Sequence, residues 1–155
     1  CGFKEISYGL NDQVLDFLKE IYPEAKFIFV VRNPKDTILS QIAMFCKGDK
    51  SSLARLANEW AIRNREYFKF YGNNPDKCIM LRYEDLISND DAIGKIFSFL
   101  GLQYSSQQSE IIFFDSGRGA DPRPLLRQNF LSNDELKLLN DITIDIASKF
   151  NYEAF

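Results

Sequence analysis

With 155 residues, 45% of them hydrophobic, the chain is long enough to fold as one globular domain with a substantial core, which excludes an intrinsically disordered protein. Its formal net charge of −3 argues against broad binding to nucleic acid or to an anionic membrane, so an anion site would have to be local. Histidine is absent, which excludes it as a general base or metal ligand.

The cysteines and the hydropathy pattern bear on the compartment. Cys1, Cys46 and Cys78 form no C-x-x-C pair and have no metal-ligand spacing, and their odd number argues against a full disulfide framework. We therefore expect a reducing compartment, the cytoplasm, and no bound metal. No apolar stretch reaches the length of a membrane span.

The first predicted elements are a helix and a short strand. Asn11 or Asp12 is a candidate N-cap for a helix that ends at Tyr22-Pro23. Lys26–Val31 is apolar, rich in β-branched and aromatic residues, and too short for a buried helix, which predicts a strand.

The strand leads directly into a second helix, and this junction predicts an anion site. Asn33-Pro34 stops the strand and favours a helical first turn, so we expect a helix from Pro34 to about Phe45. Arg32 at the strand end would face the free N–H groups of that helix, with Ser40 on the same side. The alternative is an ordinary strand-helix turn in which Arg32 pairs with Asp36 or Glu24.

A long helix and a second strand follow. The apolar stripe of Ser52–Tyr71 predicts a helix facing the core; its members are Leu53, Leu56, Ala57, Trp60, Ala61, Asn64, Tyr67, Phe68 and Tyr71. After a Gly/Asn/Pro turn, Lys77–Tyr83 is predicted to be a buried strand. Two strands separated by helices indicate an α/β fold with a parallel sheet flanked by helices.

The last third predicts two more helices and a loop. One helix follows Asn89 and closes at Gly101, and Ser132 with Glu135 is a candidate capping box for a final helix that includes Phe150. The segment 116–124 is rich in glycine and proline and is predicted to be an irregular loop.

Three segments in this order resemble a known family. Val31–Ser40 reads VRNPKDTILS, 81–86 reads LRYEDL, and 99–102 reads FLGL. This combination is similar to sulfotransferases that use 3′-phosphoadenosine 5′-phosphosulfate (PAPS), especially bacterial members, which the C-terminal segments 131–136 and 150–153 also resemble. The resemblance implies a P-loop-NTPase-like sulfotransferase fold.

The resemblance assigns roles to individual residues. Arg32 and Ser40 would hold the 3′-phosphate of PAPS or of its product, 3′-phosphoadenosine 5′-phosphate (PAP), and Tyr83 would lie beside the adenine. A guanidinium fork and a hydroxyl suit phosphate oxygens. A half-buried tyrosine bonded to the backbone is the alternative for Tyr83. Glu84 and Asp85 are expected to be helix-start or loop carboxylates rather than catalysts.

A second basic clamp on the 3′-phosphate is implied around Arg118 and Gly119. Gly117 and Gly119 would let backbone N–H groups approach an anion, and Arg118 would add charge. Arg123 and Arg127 compete for this role, and all three arginines are alternatively solvated.

The sequence departs from the family in two places. It contains no G-x-x-x-x-G-K-[ST] loop of the kind that cradles the 5′-phosphosulfate, so we expect residues 1–155 to be a single domain that is N-terminally truncated, or else a divergent member. With histidine absent, Glu5 is the candidate base and Lys4 the candidate cation beside the transferred group. The alternative is a solvated Lys-Glu pair at a strand end.

Together these features predict a sulfotransferase that moves a sulfuryl group from PAPS to an acceptor hydroxyl or amine. The expected acceptor is a small molecule, carbohydrate or lipid. Two alternatives stay open: a non-catalytic module that binds a phosphoadenosine nucleotide or a protein partner, and a small P-loop-like kinase that would need Mg²⁺ and ATP.

Overall fold

A computed structural model describes residues 2, 4–5, 7–11, 13–88, 90–104 and 130–155. The segment predicted as a loop at 116–124 lies outside these residues. The described helices and strands, in chain order, are α1 (Val14–Ile21), β1 (Phe27–Val31), α2 (Pro34–Phe45), α3 (Leu53–Asn73), β2 (Cys78–Arg82), α4 (Tyr83–Ser88), α5 (Asp90–Leu100) and α6 (Asn133–Ala147). Short 3₁₀ turns lie at Tyr8–Leu10, Lys50–Ser52, Pro75–Lys77 and Ser148–Phe150.

The two described strands pair in parallel, with helices around them, as the α/β prediction requires. Their register runs from Phe27 opposite Cys78 to Val31 opposite Arg82. Parallel strands need a long crossover connection, and α2 and α3 supply it. The carboxyl ends of β1 and β2 therefore lie side by side, which is where ligand sites form in open α/β sheets.

Helix α3 is the central support of the sheet and runs antiparallel to β1. The Tyr67 ring stacks on Phe29 with centroids 4.7 Å apart, and Phe70 meets Phe27 edge to face at 5.0 Å. The other side of α3 packs on α2 and α6. The predicted stripe is confirmed except at Phe68, which is 37% exposed, because Phe70 takes the buried position against β1.

Helix α2 begins and ends where the sequence predicts. The Asn33 side chain caps it by accepting a hydrogen bond from the Asp36 N–H at 3.3 Å, and Pro34 occupies the first turn, where its missing N–H costs nothing. Ile38 and Ile42 on its inner face are fully buried. The start of α2 is thereby fixed directly beside the end of β1.

Other boundaries differ slightly from the prediction. Helix α1 begins at Val14 with Gln13 at its N-cap, and Asn11 instead accepts a hydrogen bond from the Gln13 N–H in a turn ahead of the helix. The second strand stops at Arg82, and Tyr83 starts α4, because the chain turns into a helix as soon as strand pairing ends.

The C-terminal helix shows the predicted capping box. Ser132 Oγ accepts from the Glu135 N–H, and a Glu135 carboxylate oxygen accepts from the Ser132 N–H at 2.7 Å. The helix ends at Ala147, earlier than predicted, and Asn151 adopts a left-handed conformation with φ +58°. This turn brings Tyr152 back into the core, where it is 5% exposed. Among the described residues, no helix is both long and apolar enough to cross a membrane.

Candidate functional site

Arg32 and Tyr83, two predicted site residues far apart in sequence, meet at the carboxyl ends of the paired strands. Each is the next residue after the last register pair, Val31 opposite Arg82. The Arg32 guanidinium carbon lies 4.8 Å from the centroid of the Tyr83 ring, a cation-π contact. The parallel register therefore assembles a cation and a flat aromatic surface at one point.

The Arg32 guanidinium has hydrogen-bonding capacity left over. Its Nε is buried and has no hydrogen-bond partner in the described part of the chain. A buried donor without a partner costs about 1–3 kcal/mol, which a bound anion would recover. The buried Nε is compatible with a bound anion, and the role of Arg32 in phosphate binding stays a prediction.

The peptide unit that joins Arg32 to Asn33 is held at both ends. The Arg32 carbonyl accepts from the Trp60 indole N–H at 3.2 Å. The Thr37 hydroxyl lies 3.4 Å from the same oxygen but donates mainly to the Asn33 carbonyl oxygen, which is at 2.9 Å. The Asn33 N–H donates to a Glu84 carboxylate oxygen at 3.0 Å. This bonding fixes the backbone from which the Arg32 side chain projects.

Tyr152 closes the same network from the C-terminal segment. Its hydroxyl lies 2.5 Å from the other Glu84 oxygen and 3.1 Å from the Val31 carbonyl oxygen, and donates toward both. The Arg82 guanidinium carbon lies 4.5 Å from the centroid of its ring. Burial raises the pKa of Tyr152, and the neighbouring Glu84 raises it further while Arg82 opposes the shift, so the phenol stays protonated as a donor.

Sequence reasoning missed this role of Tyr152 and described Glu84 only as a helix-start or loop carboxylate. Glu84 is in the first turn of α4, as predicted, but its two oxygens tie β1, α2 and the C-terminal segment together. The one available signal was the aromatic residue in the C-terminal segment 150–153, which has no helical or strand periodicity to give its position.

Most backbone donors at the start of α2 are already used, which corrects the expectation of free N–H groups there. The Asn33 N–H bonds Glu84, the Asp36 N–H bonds the Asn33 side chain, and the Thr37 N–H bonds the Asn33 carbonyl. Pro34 has no N–H. The same capping interactions that start the helix consume its donors, so an anion here would depend mainly on side chains.

Ser40 lies on α2, about 9 Å along the helix axis from Pro34, and is partly buried. It is one turn beyond Asp36, and its hydroxyl contacts the Met44 sulfur at 3.8 Å. The structure therefore places Ser40 on the helix that starts at the end of β1. A direct role of Ser40 in phosphate binding stays a prediction.

Lys4 and Glu5 are exposed, and they precede the 3₁₀ turn at Tyr8–Leu10. A Glu5 carboxylate oxygen accepts from the Ser7 N–H at 2.9 Å, and the turn that follows packs Gly9 against α3. Burial raises the pKa of Tyr67, and the Glu5 charge adds to that shift. Glu5 thus interacts with Ser7 and Tyr67, and neither of these residues belongs to the strand-end network, which consists of Arg32, Asn33, Tyr83, Glu84 and Tyr152.

Two predicted site residues, Arg118 and Gly119, lie outside the described residues, as do Arg123 and Arg127. In the part of the chain that the structure describes, no group of three or more Cys, Asp or Glu side chains is arranged to hold a metal ion. The assembled site therefore consists of Arg32, Tyr83 and the groups that position them.

Comparison with known proteins places this strand-end site in a family. The family described as "Sulfotransferase family" matches residues 10–106, which is more than half of the chain, so this chain belongs to the sulfotransferase family. The matched range includes Arg32, Ser40 and Tyr83, whereas Lys4 and Glu5 precede it.

A curated relative agrees with the family match. The chain is 32% identical over 100 residues to a Caenorhabditis briggsae protein named "Putative protein-tyrosine sulfotransferase". The aligned part covers 60% of this chain and 35% of that protein, so the chain spans only about a third of the relative's length. No solved structure matches the chain significantly.

Proposed function

We propose that this chain binds the 3′-phosphoadenosine part of PAPS and of its product PAP, and that it acts within a sulfotransferase that moves a sulfuryl group to an acceptor hydroxyl or amine. The observation that carries the proposal is the contact of Arg32 with Tyr83 at the paired strand ends, with Arg32 Nε buried and unpartnered. Family membership supplies the reaction class.

Each group has a physical task in this proposal. The Arg32 guanidinium provides a planar, positively charged fork that matches two phosphate oxygens. The Tyr83 ring offers a flat apolar face for the adenine, and base-aromatic stacking of this kind is worth about 1–3 kcal/mol. Ser40 would add a hydroxyl donor from α2.

The transfer step needs groups beyond the 3′-phosphate site. PAPS supplies the activated sulfuryl group when bound, and charge spreads over its oxygens as the acceptor attacks. Glu5 would accept the acceptor proton and Lys4 would stabilise the developing charge, while Arg118 and Gly119 would add a second clamp on the 3′-phosphate. The exposure of Lys4 and Glu5 leaves both accessible to a large acceptor.

The acceptor is proposed in two classes. A small alcohol, carbohydrate or lipid follows from the sequence pattern, and a protein tyrosine follows from the name of the nematode relative. Offering labelled PAPS with a tyrosine-containing peptide, and separately with sugar and lipid alcohols, distinguishes them. Label in the peptide alone would support the protein acceptor.

Titration calorimetry with PAP tests the donor site. We expect Arg32→Ala to weaken PAP binding about a hundredfold or more, because a charge-assisted bidentate contact is lost. Arg55→Ala is the matched control: Arg55 is exposed on α3 and pairs with Glu59 at 2.7 Å, so its loss should leave PAP binding unchanged.

Three outcomes separate the proposal from its alternatives. Equal PAP affinity of the parent and Arg32→Ala would overturn the phosphate site. Mg²⁺-dependent ATP binding without PAP binding would support a kinase instead. PAP binding with no sulfuryl transfer to any acceptor class would support the non-catalytic binding module.

A further inference from the structure

Tyr152, which follows the last helix, contacts the end of β1 although the two are far apart in sequence. It is 5% exposed, and its hydroxyl meets the Val31 carbonyl oxygen and a Glu84 carboxylate oxygen. A phenol carries one proton, so the shorter 2.5 Å contact to the carboxylate takes most of the hydrogen bond. The ring itself is held beneath the Arg82 guanidinium.

Glu84 transmits this contact to the anion site. With one oxygen held by Tyr152, its other oxygen accepts from the Asn33 N–H at 3.0 Å, and Asn33 directly follows Arg32. Glu84 also directly follows Tyr83, so one carboxylate links the backbone beside both halves of the Arg32–Tyr83 pair. A carboxylate with one partner removed would be free to rotate away from Asn33.

The alternative for Tyr152 is ordinary core packing, and its surroundings argue against packing alone. A buried ring contributes apolar area whether or not it carries a hydroxyl, but here the hydroxyl is within reach of two acceptors on two different elements. Buried polar networks of this kind specify one arrangement rather than merely adding stability.

We propose that Tyr152, acting through Glu84, is a positioning residue that holds the Arg32–Asn33 turn, and with it the Arg32 side chain, in place for the 3′-phosphate. This inference rests on the proposed function. The proposed role of Tyr152 involves no contact with the nucleotide. Tyr152 instead sets the direction from which Arg32 reaches the phosphate. Supporting groups behind a binding residue change affinity by about tenfold to a hundredfold in comparable sites.

The test compares PAP affinity in Tyr152→Phe, which keeps the ring and removes the hydroxyl. We expect about tenfold weaker binding at a temperature well below the unfolding midpoint, and no change for the control Tyr71→Phe, a partly buried tyrosine of α3. Glu84→Ala should weaken binding at least as much, and Glu84→Gln less, because its amide oxygen still accepts from Asn33.

A double variant separates positioning from general loosening. If Tyr152 acts through Arg32, then Tyr152→Phe with Arg32→Ala binds PAP no more weakly than Arg32→Ala alone. Additive losses, or parent-like binding by Tyr152→Phe, would overturn the inference and leave the proposed function standing. If the parent protein binds no PAP, the proposed function fails. The positioning role can then still be tested by hydrogen exchange of the Asn33 amide, and an exchange rate that Tyr152→Phe leaves unchanged would refute it.

Discussion

The strand-end network and the N-terminal segment that carries Lys4 and Glu5 are built in opposite ways. At the strand ends, the peptide between Arg32 and Asn33 is bonded on both sides, and its partners come from α2, α3 and α4. In the N-terminal segment, the Glu5 carboxylate bonds the nearby Ser7 N–H and both side chains are exposed.

This difference indicates that the strand-end network has a fixed geometry, which the N-terminal segment lacks. A phosphate has a defined shape and benefits from donors that are already oriented, so in the proposed donor site the ordering of Arg32 before binding would lower the entropic cost of association. An acceptor that varies in size is better served by exposed groups.

The core beneath α2 supports the strand-end network. Ile38 is fully buried there, and Ile38→Ala should lower the free energy of unfolding by about 3 kcal/mol, through lost transfer energy and a residual cavity. Urea unfolding measures the change. Ile62→Ala, at a position 45% exposed on α3, is the control and should change stability by less than about 0.5 kcal/mol. Equal losses of stability in Ile38→Ala and Ile62→Ala would show that the burial of α2 does not support the strand-end network.

The packing of the N-terminal segment against α3 requires a glycine at position 9. A Cβ on Gly9 would lie 2.6 Å from the Arg63 backbone carbonyl oxygen and 2.7 Å from the Tyr67 ring, so Gly9→Ala must push the 3₁₀ turn away from α3. We expect a loss of about 2 kcal/mol in unfolding free energy, with PAP affinity unchanged. Gly72→Ala has open space around its Cβ and serves as the control. Loss of PAP affinity in Gly9→Ala would mean that the two regions are coupled.

The amino end of the sheet can be probed through Cys78, which is opposite Phe27. Burial raises the pKa of this thiol from 9.0 to about 11. Because the native state then holds its proton over a pH range where the unfolded state has lost it, stability should fall between pH 9 and pH 11, by about 2 kcal/mol from this group.

Denaturant unfolding of Cys78→Ala across that range checks the contribution. The variant should be less stable than the parent at pH 7 because of the small cavity, but should lose less stability on going to pH 11. Parallel curves for parent and variant would show that this thiol does not stay protonated at the end of the sheet.

Substitutions of Tyr83 test the aromatic half of the Arg32–Tyr83 pair. Tyr83→Ala should weaken PAP binding about tenfold, since the stacking surface for the adenine is lost, whereas Tyr83→Phe keeps the ring and should bind nearly as well as the parent. Calorimetry measures both. If Tyr83→Phe lost as much affinity as Tyr83→Ala, the hydroxyl rather than the ring face would be the important group.

The smallest effect on stability and on PAP affinity is expected at Glu5. Glu5→Gln keeps the hydrogen bond to the Ser7 N–H, so stability should change by less than about 0.5 kcal/mol and PAP affinity should not change. If Glu5 is the base, transfer to the acceptor should still fall about a hundredfold or more. A variant with full transfer activity would remove Glu5 from the mechanism.

Local signals in the sequence were sufficient for the elements around the site. The apolar run before Arg32 and the Asn33-Pro34 pair predicted β1 and α2 almost to the residue, because both strand length and helix start are set by neighbouring residues. Only the family resemblance put Arg32 and Tyr83 beside one nucleotide, and the parallel pairing explains their proximity because it brings the carboxyl ends of both strands together.

Contacts between distant segments were not predictable in the same way. Phe68 and Phe70 both fit an aromatic stripe, and the position of β1 decides that Phe70 is buried against Phe27. Tyr152 follows the last helix in a segment without periodicity, so nothing local indicated that its hydroxyl would meet Glu84. Tertiary packing decides such cases, and propensity does not.

The hydrogen bond between Tyr152 and Val31 has a consequence for the order of events during synthesis and folding. Its partners are separated by 121 positions, so a ribosome releases β1 well before the residue that completes its surroundings. Closing so long a segment is entropically costly and comes late in folding. While the intervening residues are being added, a nascent chain therefore carries Arg32 without the contact that Tyr152 makes at the end of β1.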